Sequence, residues 1–480
     1  MSRHYKPVLW AILYFSSVVL NGQDWDRDSL LAAAMKNNSG YQKTESQSRQ
    51  ARSLLSEARA ARLPVLRLVS NLSYMTNPPN VTIKAGDLYP GGNIPFTVVI
   101  PPVLPGVTLP PSVDIPIPIP AFPAEDMTIS LVDHTRYDFG LTLEQPLFTW
   151  GRINNSVGAA NLGSQGALLR QEQEKRNLCT TLDSHLYSLG FLAEMQALLA
   201  EQKLRAQRLV DLSEESHASG FLLQTDILAA RLLLSEISLG ELAIAENTAT
   251  SLLAIQSLAG LDDLGLEAIL LPADRNRQSL SYNRSDRERL LHRVMESNLS
   301  LKMLNIQTRA NEKQLAAFKG RSYGKPELGL FFQLTYGGAL FPFFQSGWKE
   351  DNSLNMTATL GIRSLLLDGG TMYHSIRQRE ESLVQFRLDE DKGKRDMVEF
   401  LERSLIQLEV SQQRQNYLSL KAETDLVKKD QAEASWRTGY GAERDVLTHE
   451  LNWYNGRIAL LQEELNALLL ALRLENVLAE

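Results

Sequence analysis

The 480-residue sequence predicts a mainly α-helical chain that also carries a few membrane-crossing β-strands, the whole laid out twice. Three observations lead there: where the prolines fall, an internal repeat, and four segments of apolar–polar alternation. Of 19 prolines, 13 lie between Pro78 and Pro123, while the spans 147–271 and 343–480 contain none. Pro-free stretches rich in Leu, Ala, Glu, Gln, Arg and Lys keep every backbone donor and avoid the clash with the preceding turn, so they form helix.

The repeat sets the organisation. Leu143-Glu-Gln-Pro-Leu-Phe-Thr-Trp-Gly151 aligns, 219 residues on, with Ile362-Arg-Ser-Leu-Leu-Leu-Asp-Gly-Gly370. At the same offset Ser219-Gly220-Phe221 and Asp226-Ile227-Leu228 match Thr438-Gly439-Tyr440 and Asp445-Val446-Leu447. Leu30 to Asn38, followed by Pro64, matches Leu291 to Asn298, followed by Pro326; here the offset is near 261 because the first copy carries the Pro-rich insertion. Each copy reads helix, strand, loop, strand, long helix, Gly-containing break, long helix.

In chain order, residues 1–22 read as a secretory signal: Arg3, His4 and Lys6 precede the apolar run Val8 to Leu20. The first repeat spans 23–272, with strands at about 64–75 and 137–149, a Pro-rich loop at 76–136 and helices over 150–260. The second spans 273–480, with strands at about 326–337 and 354–366 and helices over 284–320 and 370–475. Leu66, Leu68, Leu72 and Tyr74 alternate with polar residues, as do Tyr137, Phe139, Leu141 and Leu143. So do Leu328, Leu330, Phe332, Leu334 and Tyr336, with Phe331 the exception, and Met356, Ala358, Leu360 and Ile362. Each segment has the roughly ten residues that a tilted strand needs to cross hydrocarbon. Four strands leave open edges, which a bilayer does not tolerate, and about eight are the minimum for a closed barrel, so a membrane location demands several chains.

The helices carry heptad stripes. Leu447, Leu451, Tyr454, Ile458, Leu461, Leu465, Leu468 and Leu472 are spaced by 4 and 3, and the same register in the first copy gives Leu228, Leu232, Leu239 and Leu242. Leu182, Leu186, Leu189, Leu192, Met195 and Leu199 form a further stripe. All are read as packing seams.

Other classes are excluded by composition. With 49 basic and 56 acidic residues the net charge is −7, so no sequence-wide basic surface for nucleic acid exists. No phosphate-binding Gly-x4-Gly-Lys-[Ser/Thr] loop is present, the seven His form no HExxH or other ligand spacing, and the one Cys, Cys179, is read as a packed helix residue. No cofactor, no metal and no enzymatic activity are expected.

The half-units, the turns Gln145-Pro-Leu-Phe-Thr-Trp-Gly-Arg152 and Leu365-Leu-Leu-Asp-Gly-Gly370, and the paired Gly-x5-Asp-[Ile/Val]-Leu elements resemble the TolC-type outer-membrane efflux proteins over about residues 26–475. The resemblance implies a homotrimer in which four strands per chain complete a 12-stranded barrel among outer-membrane lipid, continued by an α-helical coiled-coil tunnel in the periplasm. It implies the exit duct of a tripartite efflux pump or type I secretion system, working with a periplasmic adaptor and an inner-membrane transporter. It makes Ser219, Gly220, Phe221, Thr438, Gly439 and Tyr440 the adaptor-docking tips, with aromatics where the family has leucine. It makes Asp445 the periplasmic constriction, although the family's second ring aspartate is Thr448 here, and gives Asp226 a latching contact between hairpins. The plainer alternatives are helix stops at the glycines and helix-start carboxylates at both aspartates.

The segment from Thr76 to Arg136 is expected as an extended, stiff extracellular loop, with Pro110 to Pro120 at its core, that partly covers the mouth or contacts an outside partner. Its counterpart, Gly337 to Ser353, holds Phe341, Phe343, Phe344 and Trp348 as girdle candidates. Two other functions are weighed, a barrel-anchored surface adhesin and a secreted coiled-coil structural protein. The alternating strands count against the second and the long helices against the first.

Overall fold

The computed structural model describes residues 24–99, 112–272, 282, 284–342 and 344–478. The expected signal segment, Pro110, Pro111 and Phe343 lie outside them. The elements are α1 Arg27–Asn37, α2 Ser39–Ala60, β1 Val65–Tyr74, β2 Asn80–Ile83, β3 Gly92–Val99, β4 Ser112–Ile119, β5 Met127–Ser130 and β6 Thr135–Phe148, then α3 Arg152–Ala218 and α4 Gln224–Ala259. The second half gives α5 Arg287–Ser297, α6 Leu299–Lys319, β7 Glu327–Gly338, the single turn α7 Trp348–Asp351, β8 Ser353–Arg363, α8 Thr371–Arg437 and α9 Glu443–Leu478. The repeat holds closely in helix length: α3 and α8 have 67 residues each, α4 and α9 have 36, α1 and α5 have 11, and α2 and α6 have 22 and 21. The expected helix over 284–320 is two helices because Asn298 interrupts it, its Oδ1 accepting from Leu301 N at 3.0 Å; Asn38 does the same to Tyr41 N in the first copy, also at 3.0 Å.

The chain forms two compact units, one of Met1–Ala58, Asn154–Phe318 and Tyr373–Glu480, the other of Arg59–Ile153 and Lys319–Met372. The first is helical. Its main core joins Phe191, Leu192, Met195 and Leu199 of α3 to Ile237 and Ile244 of α4 and to Leu447, Leu451 and Leu461 of α9, so the α9 heptad and the α3 stripe both lie in packing seams. The first-copy register is corrected. Leu228, Leu232, Leu239 and Leu242 are more than half exposed, and α4 packs through Ile227, Ala230, Ile237 and Ile244 instead, one 100° step round the helix. Both stripes repeat at heptad spacing, so periodicity alone does not choose between them. At one end Arg27 of α1 grips the buried carboxylate of Asp183 on α3 through Nε at 2.5 Å and Nη2 at 2.8 Å.

The second unit is built on a four-stranded antiparallel sheet of order β1-β6-β7-β8. Its register stacks the alternations on one face: Leu68 opposite Leu141, Leu141 opposite Leu334, and Leu334 opposite Met356. One step along, Leu66, Leu143, Phe332 and Ala358 form a parallel row. The opposite face carries Arg67, Asn71, Asp138, Thr142, Gln333, Thr357 and Asn355, with Asn71 Nδ2 donating to Asp138 Oδ2 at 3.0 Å. Phe331, out of pattern on that face, lies over Gly329 and Gly361, where an added Cβ would come within 3.2 and 3.0 Å of its ring. The two glycines make room for a ring lying along the sheet. Every residue of β1 is exposed, as are all but one of β8, and both lie at open edges.

Pro146 is third from the end of β6 and pairs with Gly329, and a bulge leaves Leu147 unpaired between it and Phe148. One expectation about this unit needs correction. The Pro-rich segment is a paired ribbon and not a loop: β2 pairs with β5 and β3 with β4. The short counterpart gathers its rings on Tyr137, with Phe341 at 5.1 Å and Phe344 a further 5.7 Å beyond.

Candidate functional site at the helical tips

Each long hairpin turns on the same backbone device. Gly220 and Gly439 both have φ +80°, the left-handed region that a side chain disfavours. Gly220 N donates to His217 O at 2.8 Å and Phe221 N to Ser216 O at 2.9 Å; Gly439 N donates to Trp436 O and Tyr440 N to Ser435 O, both at 3.0 Å. This is a Schellman cap at each tip. In such a cap the residue after the glycine usually packs an apolar side chain back on the helix. Here Phe221 is 85% and Tyr440 93% exposed, so both rings stand in solvent. The helix-stop reading and an exposed aromatic therefore hold at the same residues.

The two hairpins are tied together just behind these tips. Asp226 accepts from Leu223 N through Oδ2 at 3.1 Å, capping α4, and its Oδ1 lies 3.6 Å from Arg444 Nη2 on α9. Arg208 of α3 holds Glu443 of α9 with two bonds, Nε to Oε1 at 2.9 Å and Nη2 to Oε2 at 3.1 Å. That fork raises the Arg208 pKa above the ordinary arginine value, chiefly through the hydrogen bond to Glu443. Arg231 closes the first hairpin on itself through Glu214 at 2.7 Å. Asp226 thus does two jobs. The Arg208–Glu443 pair went unseen in the sequence because its members lie 235 residues apart and no helical spacing relates them.

Asp445 occupies the first turn of α9, exposed, and makes no side-chain hydrogen bond or ion pair among the described residues. Thr448, one turn on, bonds back to Arg444 O at 2.8 Å. No cluster of metal-ligating side chains occurs among the described residues, and none of their helices is long and apolar enough to cross a membrane.

At the strand-to-helix turns the copies differ in chemistry but not in shape. Trp150 (φ +49°) and Gly151 stand where the second copy has Gly369 and Gly370, all four with positive φ. Trp150 is held there by Nε1 donating to Pro326 O at 2.9 Å and by its edge contact with Phe148. Arg152 then forks onto Glu327, with Nε 2.5 Å from Oε1. In the second copy Asp368 caps α8, accepting from Met372 N at 2.9 Å and from the Tyr323 hydroxyl.

No curated protein sequence matches the chain. Residues 123–261 match the family model described as outer membrane efflux protein. Among solved structures, a membrane protein from Pseudomonas aeruginosa superposes with a TM-score of 0.70 at 15% identity, over 94% of this chain and 90% of that one. The outer membrane protein VceC from Vibrio cholerae gives 0.67 at 16% identity, over 94% and 95%. The Campylobacter jejuni CmeC outer membrane channel gives 0.67 at 12%, over 94% and 85%. These likenesses establish the fold along nearly the whole chain. Residues 123–261 thus carry the signature of the outer membrane efflux protein family, on a fold that is like that of solved outer-membrane channels along nearly the whole chain.

Proposed function

We propose that the protein is a passive outer-membrane exit duct, assembled from three chains. The observation that carries this reading is the register of the sheet: four antiparallel strands align one apolar face about ten residues tall and leave β1 and β8 as open edges. In lipid an open edge leaves backbone donors and acceptors unpaired at several kcal/mol each, so β1 of one chain closes on β8 of the next and three chains make a 12-stranded barrel. The unpartnered leucines of α4, Leu228, Leu232, Leu239 and Leu242, supply a matching apolar seam between the helical units of neighbouring chains, which form the periplasmic tunnel.

The tips have the two roles an exit duct needs. Phe221 and Tyr440 are the docking points for a periplasmic adaptor, which links the duct to an inner-membrane transporter of a tripartite pump or a type I secretion system. Asp226–Arg444 and Arg208–Glu443 hold the hairpins closed, and three Asp445 carboxylates line the constriction as an anionic ring that favours cations. The protein performs no chemistry on what passes. Membrane fractionation with chemical crosslinking tests the assignment: outer-membrane trimers are expected, and a soluble or monomeric mature chain overturns it.

A further inference from the structure

The Pro-rich ribbon has an apolar face that the described residues leave about half exposed. In its outer half Ile94 lies opposite Ile117, Phe96 opposite Ile115 and Val98 opposite Val113, all six on one face. Phe96, Ile94 and Ile115 are about half exposed. Apart from Val99, opposite Ser112, the other face is polar or proline: Pro95 opposite Pro116, and Thr97 donating to Asp114 at 2.6 Å. A lone two-stranded ribbon is marginal in water, and this patch, on the order of 400–500 Å², is at the upper end of what a monomer leaves open.

Three features of the ribbon choose the occupant. Pro95, Pro116 and Pro118 fall in the same pairing class, the one whose backbone N points away from the partner strand, so the outer edge of β3 lacks one donor and that of β4 lacks two. Edge pairing is thereby blunted, which favours association through the face. Between Asn80 and Ser130 the only cation is Lys84, against Asp87, Asp114, Glu125 and Asp126, which disfavours anionic lipid headgroups. The ribbon also continues β1, the open edge of the sheet, through Met75 N donating to His134 O at 2.6 Å and the Tyr89–Phe122 bridge. It is thus carried by the strand that meets the next chain.

We infer that the apolar faces of the three ribbons pack on one another and form a shared cap on the outer side of the barrel. This rests on the trimeric reading above. The test uses full-length protein in a Cys179→Ser background with either Ile115→Cys, on the apolar face, or Pro116→Cys, on the other, oxidised as the purified membrane protein. Ile115→Cys is expected to give an inter-chain disulfide at least about tenfold more abundant than Pro116→Cys, and Phe96→Asp with Ile115→Asp to raise entry of a large glycopeptide antibiotic without loss of the trimer. Trimers with equal crosslinking at both positions overturn the cap and leave the duct standing; monomers overturn both.

Discussion

Replacing Leu68 by arginine puts a charge on the face that the sheet register assigns to lipid. β1 has ten residues; at about 3.3 Å per residue and a 40° tilt it stands roughly 25 Å tall, the height of the apolar band of a membrane barrel. Leu68 is its fourth residue, in the middle third, and 72% exposed in the single chain. An arginine at that depth costs about 2–4 kcal/mol, hence about 6–12 kcal/mol for three chains, at least a ten-thousandfold loss of assembled barrel at 1.4 kcal/mol per tenfold. Asn71→Arg is the matched control. It points to the opposite face, where Asp138 already accepts from Asn71 and gains a charged partner, so its expected cost is near zero. The assay is the yield and thermal midpoint of membrane-inserted oligomer, read by a heat-modifiable band in detergent gels. Equal tolerance of Leu68→Arg and Asn71→Arg would refute the face assignment and, with it, the barrel.

Four further outcomes follow from the helical unit. Arg444→Ala, which frees Asp226, is expected to raise open probability in planar bilayers, and Asp445→Ala to weaken block by divalent cations; unchanged traces from intact trimers count against the latch and the ring respectively. Phe221→Ala with Tyr440→Ala should leave the thermal midpoint within about 1 °C, because neither ring is packed, yet abolish crosslinking to the adaptor; retained crosslinking places docking elsewhere. Arg287 Nε donates to Glu402 at 2.5 Å and holds that carboxyl below its usual value of about 4.5. A carboxylate with a lowered folded pKa stabilises fully above the unfolded value and loses that contribution as pH falls through the folded one. Thermal stability should therefore be flat above about pH 5 and decline below pH 4.5, with a shallower decline in Glu402→Gln.

Local rules read much of this chain and tertiary ones the rest. The bounds of β1, Val65 to Tyr74, are those of its alternation, and the helix ends at Gly220 and Gly439 follow from a conformation that glycine alone adopts easily. Three features were illegible because they depend on distant partners. Phe331 breaks the alternation for the sake of Gly329, two residues away on its own strand, and Gly361 on the next. The heptad of Leu228 is real but faces away from the chain's own core, which a periodicity count does not register. The prolines of the ribbon suggested a stiff loop, yet all three on β3 and β4 fall where a ladder needs no donor, so Ser112 to Ile119 pairs as a strand. At the tips, the glycines and Asp226 were marked by the repeat; their ion-pair partners Arg444 and Arg208 were not.

The most direct test of the account is the mass of the detergent-solubilised protein from outer membranes by native mass spectrometry. Three copies of the mature chain and nothing smaller are expected at physiological salt, because open edges at β1 and β8 cannot persist in lipid. A stable monomer extracted from the membrane would contradict it.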